Sequence, residues 1–338
     1  MAEYKGVMIC GELTDGKLAS ITTELLGCAR NLDDELKEDV SCLLASDAVG
    51  EAPKEAIAFG ADKVYTVEDP ALKEYQADSY MQVVEKLVKD ISPRIILVGQ
   101  TSMGSDLAPR LAFRLGVGLS MDRIELSIDP ETKLLLQAGP VYGGNAQATF
   151  TCELVPQIVT VRTKAMSPIE RDDSRKGEII PTKAEIDPAK VRAKIAETIK
   201  EEVTGVKLED APVIVSGGRG MGGPEPYNTT LKELADVFTK GGFPAAVGAS
   251  RPPCDNGWVP EALHIGLTGK IVAPDVYLAI AISGASQHMA GCSGSKNVIA
   301  INKDPEANIF KVANYGVVGK YEDVVPAFNE KLKELLAS

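Results

Sequence analysis

The residues with the clearest capacity for chemistry are Ser-Gly-Ala-Ser-Gln-His at positions 283–288. They follow an apolar run, 276–282, whose lack of polar alternation is typical of a strand buried on both faces. A second apolar run, 297–301, leaves room for a helix of about two turns over 285–292. This helix would start at the carboxyl end of a parallel strand, where free amide groups favour phosphate or another anion. Gln287 and His288 can donate hydrogen bonds to such a ligand.

A glycine-rich loop after another strand is a second candidate. Its glycines satisfy G-x-G-x-x-G at Gly218, Gly220 and Gly223. Arg251 closes the next apolar run, where a dinucleotide-binding fold places its ribose-reading residue. An NADP-dependent oxidoreductase with a Rossmann domain is therefore an alternative function. Pro224 and Pro226 argue against it, because they move the predicted helix start to about Asn228 and remove the tight strand-to-helix turn.

The elements that must position these residues alternate between apolar strands and amphipathic helices. Strands are predicted at 6–10, 41–45, 63–67 and 94–98, with further strand-like segments over 134–163 and a glycine-rich turn at Gly143 and Gly144. Apolar residues at helical spacing over 80–88 predict a helix between two of these strands. Such alternation predicts an α/β fold with two domains, each a mostly parallel sheet with flanking helices.

The texture of the sequence changes from residue 164 to residue 203, which is charged, carries prolines and lacks a sustained apolar face. We predict a charged linker there, with a short exposed helix over 191–203. The predicted domains are 1–203 and 204–338. The chain ends in an amphipathic helix over 321–338.

The segment after the fourth strand predicts a helix over 106–115 with Ser105 as N-cap, Pro109 in the first turn and Gly116 at the C-terminus. The loop before it either cradles a phosphate or is an ordinary capped turn. The absence of a lysine and of P-loop spacing favours the ordinary capped turn.

Composition sets the outer bounds. The chain has 338 residues, 44% of them hydrophobic, and a net charge of −12, which argues against nucleic acid and anionic membranes as partners. Without an apolar run of roughly 20 residues, and with the first strand starting within six residues of Met1, we expect a soluble, cytoplasmic protein without a leader. The six cysteines show no C-x-x-C pair, so redox chemistry would need a bound cofactor.

The string VYLAIAISGASQHMAGCSGSKNVIAINKDPEANIF, residues 276–310, resembles the signature of the electron transfer flavoprotein alpha subunit. The resemblance implies a heterodimer with a beta subunit and a Rossmann-like C-terminal domain that binds extended FAD. The FAD would pass electrons to or from a partner dehydrogenase such as acyl-CoA dehydrogenase. The beta subunit would hold AMP in a plain shuttle, or a second FAD that oxidises NADH in an electron-bifurcating complex. A nucleotide-binding sensor on the same fold is a further alternative.

The resemblance also implies roles for individual residues. Arg219 would contact the phosphates, Ser250 and Arg251 the flavin, and His288 would donate a hydrogen bond to O2. Thr268 would reach N5, and Leu267 stands where most relatives have glutamine. His264 has no partner motif and no assigned role. The C-terminal helix would help to dock the beta subunit. The full set of expected FAD-binding residues is Arg219, Ser250, Arg251, Ile265, Gly266, Leu267, Thr268, Ser283, Gly284, Ala285, Ser286, Gln287, His288, Asn302, Lys320 and Tyr321.

Overall fold

The computed structural model describes residues 4–14, 16–141, 146–193, 195–197 and 206–337. The chain divides into two compact units, residues 1–199 and 200–338. The predicted boundary at residue 204 stays a prediction, because residues 198–205 lie outside the described ranges. The glycine-rich turn predicted at Gly143 and Gly144 also lies outside them.

The first unit is built on a parallel sheet of seven strands, accompanied by a three-stranded antiparallel sheet and a two-stranded hairpin. The parallel sheet has the order β12-β5-β4-β1-β6-β11-β7. Apolar side chains from helices cover both of its faces. The strands are β1 Val7–Gly11, β2 Leu13–Thr14, β3 Lys17–Leu18, β4 Val40–Ser46, β5 Lys63–Glu68, β6 Ile95–Gly99, β7 Leu119–Arg123, β8 Glu125–Ile128, β9 Leu135–Val141, β10 Ala146–Phe150, β11 Gln157–Val161 and β12 Glu178–Pro181. The helices are α1 Ser20–Leu36, α2 Ala52–Ala58, α3 Ala77–Ile91 and α4 Ser102–Leu115.

The four predicted strands and the helix over 80–88 are confirmed as β1, β4, β5, β6 and α3. The segment 164–203, predicted to be a charged linker, contains the strand β12. This strand pairs with β5 and extends the parallel sheet. This edge strand has four residues, three of them exposed, so no apolar run marks it in the sequence. The prediction of a helix over 191–203 is wrong for residues 191–193 and 195–197, which are not helical.

The start of α4 also differs from the prediction. The helix begins at Ser102, and Thr101, not Ser105, is its N-cap, with its hydroxyl oxygen accepting a hydrogen bond from the Gly104 amide at 3.0 Å. The same hydroxyl donates to the Glu12 carboxylate at 2.6 Å. Thr101 thus caps the helix and links it to Glu12, which favours the ordinary capped turn. Gly116 ends the helix with a φ of 68°, as predicted.

The second unit is a five-stranded parallel sheet of order β14-β13-β15-β16-β17. This is a doubly wound order in which the chain reverses direction between β13 and β15, and such folds bind ligands outside the carboxyl ends of the strands at that point. The predicted α/β class with parallel sheets is confirmed. The strands are β13 Val213–Gly217, β14 Ala245–Ala249, β15 Val276–Ile280, β16 Asn297–Asn302 and β17 Tyr315–Val318. The helices are α5 Lys232–Lys240, α6 Arg251–Asp255, α7 Ser286–Cys292 and α8 Tyr321–Ala337.

Two further helix predictions are confirmed in the second unit. A π-helical stretch, Tyr227–Leu231, leads into α5, close to the predicted start at residue 228. The C-terminal helix α8 packs the apolar residues Val324, Val325, Phe328 and Leu332 onto one face of the sheet. Its Leu335 is 63% exposed, so part of the predicted apolar stripe faces away from the core of its own unit.

Two negative findings apply to the described residues. No helix among them is long and apolar enough to cross a membrane. No three histidine, cysteine, aspartate or glutamate side chains within the same ranges converge as a metal site would require. All six cysteines lie in these ranges and are free thiols.

Candidate flavin site

A cavity of about 760 Å³ lies at the carboxyl ends of the strands of the second unit. Pockets for small molecules and cofactors usually measure about 300–1,000 Å³. A smaller cavity of about 250 Å³ adjoins it and shares Gly220, Ala281, Asn302 and Lys303 with it. The predicted residues that line the larger cavity are Arg219, Ser250, Arg251, Ile265, Leu267, Thr268, Ser283, Ala285, Gln287, His288 and Asn302. Lys320 and Tyr321 line the smaller one.

The remaining three predicted residues, Gly266, Gly284 and Ser286, lie in the segments that form the cavity wall but do not line the cavity themselves. Gly284 has a φ of +80°, and a Cβ there would lie 2.2 Å from the Ile309 amide nitrogen. Gly266 lies against α7, where a Cβ on Gly291 would approach its amide nitrogen to 2.3 Å. Ser286 is the exposed first residue of α7. These close approaches let the loop at 265–268 and helix α7 form neighbouring walls of the cavity.

The glycine-rich loop after β13 packs against the loop after β15. A Cβ on Gly218 would lie 2.1 Å from the Ala281 carbonyl oxygen, and one on Gly220 would lie 2.9 Å from the Ala281 Cβ. A Cβ on Gly223 would have no atom within 4 Å. In a dinucleotide fingerprint the third glycine allows close packing of helix and strand. Gly223 has no such packing duty, so the geometry does not favour the NADP alternative.

Cationic side chains collect around the two cavities. Arg219 and Arg251 line the larger one, Lys303 lines both, and Lys320 lines the smaller. Cations of this kind suit the negative charge of a diphosphate. Arg251 is not a free cation, since its guanidinium contacts carboxylate oxygens of Asp255 at 2.7 Å and Glu261 at 3.4 Å. Its position is thereby restrained at the mouth of the cavity.

His288 lies in the wall of the cavity, and both nitrogens of its ring lie near polar atoms of the chain. Nδ1 lies 2.9 Å from the Ile265 carbonyl oxygen, and Nε2 lies 2.9 Å from the Tyr277 hydroxyl. A carbonyl oxygen only accepts, so Nδ1 carries the proton and Nε2 accepts from Tyr277. Burial lowers the pKa of His288 to about 4, so the ring is neutral. The donation from His288 to O2 stays a prediction.

Several lining residues were missed in the sequence. Lys303, Asp304 and Ala307 line the larger cavity and fall inside the signature string, so only their roles were overlooked. His264 also lines it, and had no sequence signal beyond its loop. Its Nδ1 is buried and has no hydrogen-bond partner among the described residues, although a Glu261 oxygen lies 3.4 Å away. A buried polar atom of this kind, together with the glycine backbones and cations, fits a large polar cofactor.

Comparison with known proteins shows the family of the chain. Residues 7–187 match the family model described as electron transfer flavoprotein domain, and residues 207–293 match the electron transfer flavoprotein FAD-binding domain. The alpha subunit of electron transfer flavoprotein from Thermoanaerobacterium thermosaccharolyticum is 45% identical over 99% of this chain and 100% of its own length. The alpha subunit from Megasphaera elsdenii is 44% identical over 99% of this chain and 98% of its own.

A more distant relative has a longer chain than this one. The subunit LctC of lactate dehydrogenase (NAD(+),ferredoxin) from Acetobacterium woodii is 35% identical over 96% of this chain and 76% of its own. The FAD-binding family model covers the residues around His288, and the relatives match the chain over nearly its full length. The chain therefore belongs to the electron transfer flavoprotein alpha subunit family, and its cofactor is FAD.

Proposed function

We propose that this chain is the FAD-carrying subunit of a heterodimeric electron carrier and that its FAD exchanges electrons with a partner dehydrogenase acting on a CoA ester. The single observation behind the proposal is the cavity at the carboxyl ends of β13–β16, walled by the signature residues of the FAD-binding family. Bound FAD supplies one- and two-electron redox chemistry. The chain supplies binding, orientation and electrostatics.

The walls of the cavity suggest how the chain divides that work. We assign Arg219 and the backbone of the loop at 283–286 to the diphosphate, because a cation and polar loop groups meet there. Ser250, Arg251 and the loop at 265–268 also line the cavity, beside the end of β14, and are assigned to the ring and ribityl chain. The smaller cavity, with Lys320 and Tyr321, is assigned to the adenosine end.

Two of these walls are fixed by the backbone, which keeps the ring environment constant. The Ile265 amide donates to the Ala249 carbonyl oxygen at 2.8 Å, and the Leu267 amide donates to the Gln287 carbonyl oxygen at 2.7 Å. Leu267 is 59% exposed and lines the cavity, where its apolar side chain would limit access of water to bound cofactor.

The choice of partner draws on the names of relatives. The acryloyl-CoA reductase electron transfer subunit beta of Anaerotignum propionicum is 34% identical over 98% of this chain and 96% of its own length. We therefore favour a dehydrogenase or reductase of acyl-CoA substrates. The name of the Acetobacterium woodii relative joins NAD(+) and ferredoxin, and it supports a second mode in which the beta subunit holds another FAD and oxidises NADH.

The two modes differ in nucleotide content, which gives a direct experiment. The chain is co-purified with its beta subunit and denatured, and the released FAD, AMP and NAD(P) are counted per heterodimer by chromatography. About one FAD with one AMP indicates a plain shuttle, and about two FAD without AMP indicates the NADH-oxidising, bifurcating mode. Adenine nucleotide without flavin would identify a sensor, and NADP without flavin would restore the oxidoreductase alternative. Either of these last results would reject the proposed function.

A pair of matched variants tests whether FAD binds in this chain's cavity. Arg219→Ala removes a cation from the cavity wall, whereas Lys232→Ala removes one from the exposed face of α5, outside both cavities. FAD should fall below one per heterodimer after gel filtration only in Arg219→Ala. Equal FAD in both variants would place the cofactor elsewhere.

A further inference from the structure

Two carboxylates that line neither cavity hold the guanidinium of Arg251. Its Nε donates to Asp255 Oδ1 at 2.7 Å, one turn later on α6, and its Nη1 donates to Glu261 Oε1 at 3.4 Å. The hydrogen bond to Asp255 and, to a lesser extent, the charge of Glu261 raise the pKa of Arg251. The guanidinium at the cavity is therefore a compensated cation.

Glu261 differs from Asp255 because it also faces a second residue of the cavity wall. The same oxygen, Oε1, lies 3.4 Å from Nδ1 of His264, whose ring lines the larger cavity. The side chain of His264 is only 3% exposed, and its Nδ1 has no hydrogen-bond partner among the described residues. One carboxylate oxygen outside the cavity is thus shared by two side chains that line it.

The backbone fixes the positions of Glu261 and His264. Glu261 opens a short 3₁₀ turn, and its carbonyl oxygen accepts from the His264 amide at 2.9 Å. The imidazole lies against the next turn of the chain, since a Cβ on Gly269 would lie 2.5 Å from its Nδ1. The Lys270 amide closes this turn by donating to the His264 carbonyl oxygen at 2.7 Å. Glu261 is therefore linked through His264 to the loop at 265–268, which is assigned to the flavin ring.

The charges around Glu261 show which cation it compensates. Lys270 is paired with Glu209, so Arg251 is the cation that contacts Glu261 among the described residues. The side chains of Arg251 and Glu261 are 52% and 63% exposed, and exposed ion pairs contribute little to stability. The pair matters instead for the cavity, because a guanidinium that contacts a carboxylate presents less positive charge than a free one.

We propose that Glu261 is a positioning residue that engages Nη1 of Arg251 from outside the cavity and reduces the positive charge that Arg251 presents to bound FAD. Positive charge beside a flavin favours its reduced forms, so Glu261 lowers the midpoint potential. The contact with His264 keeps the carboxylate in this place. The inference rests on the proposed FAD site and adds to it a residue that does not line the cavity.

Three variants of the heterodimer, each co-purified with its beta subunit, test the proposal. Glu261→Gln removes the charge and keeps the size of the side chain, whereas Glu261→Asp keeps the charge and is shorter by one methylene. Glu330→Gln is the matched control, because Glu330 is an exposed glutamate of α8 outside both cavities. The readouts are FAD per heterodimer and the midpoint potential of each bound FAD, measured by photoreduction against reference dyes.

Glu261→Gln should raise the ratio of reduced to oxidised FAD at a fixed potential roughly 1.5- to fivefold, which corresponds to about 10–40 mV for one electron. Glu261→Asp should shift the potential in the same direction, because the shorter side chain loses its contacts with Arg251 and His264. Glu330→Gln should leave the potential unchanged. All three variants should retain FAD at the wild-type level, because none of them changes a residue that lines the cavities.

Four results would overturn the role of Glu261 and leave the proposed function intact. The first is an unchanged or lower potential in Glu261→Gln, and the second is an equal shift in Glu330→Gln. The third is a wild-type potential in Glu261→Asp, since Glu261 would then act as a distant charge and not by holding Arg251. The fourth is loss of FAD from the Glu261 variants alone, which would make Glu261 a binding residue. A wild-type heterodimer without flavin would reject the proposed function and this inference together.

Discussion

Substituting Gly218 by alanine tests the close contact on which the cavity depends. The φ of Gly218 is −105°, which alanine adopts freely, so the effect is steric and not one of backbone strain. The new Cβ would lie 2.1 Å from the Ala281 carbonyl oxygen and 2.8 Å from the Ile282 Cα. Because these are backbone atoms, the two loops must separate. Their separation would also disturb the hydrogen bond of 2.9 Å from the Gly218 amide to the Ile280 carbonyl oxygen.

The expected cost follows from these two effects. Overpacking in a well-packed region costs about 1–3 kcal/mol, and loss of the hydrogen bond adds about 0.5–1.5 kcal/mol. We expect Gly218→Ala to lower the free energy of unfolding of the second unit by about 2–4 kcal/mol and to weaken FAD retention. Gly223→Ala is the matched control in the same loop, since its Cβ has open space, and its effect should stay within about 0.5 kcal/mol.

The single tryptophan provides the assay. Trp258 packs against the core of the second unit, so its fluorescence during urea denaturation reports unfolding of that unit. FAD per chain is measured in parallel after gel filtration. If Gly223→Ala were as damaging as Gly218→Ala, the third glycine would have the packing duty of a dinucleotide fingerprint. That result would refute the reasoning, as would a stable Gly218→Ala protein with full FAD.

Three further predictions concern charges and one cavity residue. Burial raises the pKa of Glu24 to about 7 from an ordinary 4.5, so its contribution to stability is fully present below about pH 4.5 and is lost as the pH rises through 7. Glu24→Gln should therefore be about 2–3 kcal/mol more stable than wild type at pH 8 but not at pH 4.5, by urea denaturation followed by circular dichroism; parallel pH profiles would contradict this. Arg251→Ala should lower the FAD midpoint potential more than Arg251→Lys, and equal potentials would remove Arg251 from the flavin. Leu267→Gln should change the potential or the flavin spectrum, and no change would make this residue incidental.

Much of the site could be predicted because its residues follow buried strands. Apolar runs such as 276–282 mark parallel strands directly, and the carboxyl ends of such strands meet at one edge of the sheet. The residues after β13, β14, β15 and β16 therefore had to lie near one another. The signature over residues 276–310 then indicated FAD as the cofactor, and the match to the FAD-binding family model confirms this prediction.

Capping and edge pairing were harder to predict. Thr101 and Ser105 are both acceptable N-caps by residue type, and the choice depends on contacts of Thr101 with Glu12, 89 positions away in sequence. The strand β12 pairs through its backbone with β5, and its mostly exposed side chains leave no pattern to detect. Both features are decided by long-range packing.

The sequence by itself determined the fold class, the strands around the cavity and the family to which the chain belongs. These follow from local periodicity and from a dense motif. Only the tertiary structure decided what the imidazole of His288 does, because its partners Ile265 and Tyr277 lie 23 and 11 positions away on other elements. A hydrogen bond forms only when the distance between donor and acceptor is right to within a few tenths of an ångström. Residue types along a chain do not specify such distances, whereas the packing of α7 against the sheet does.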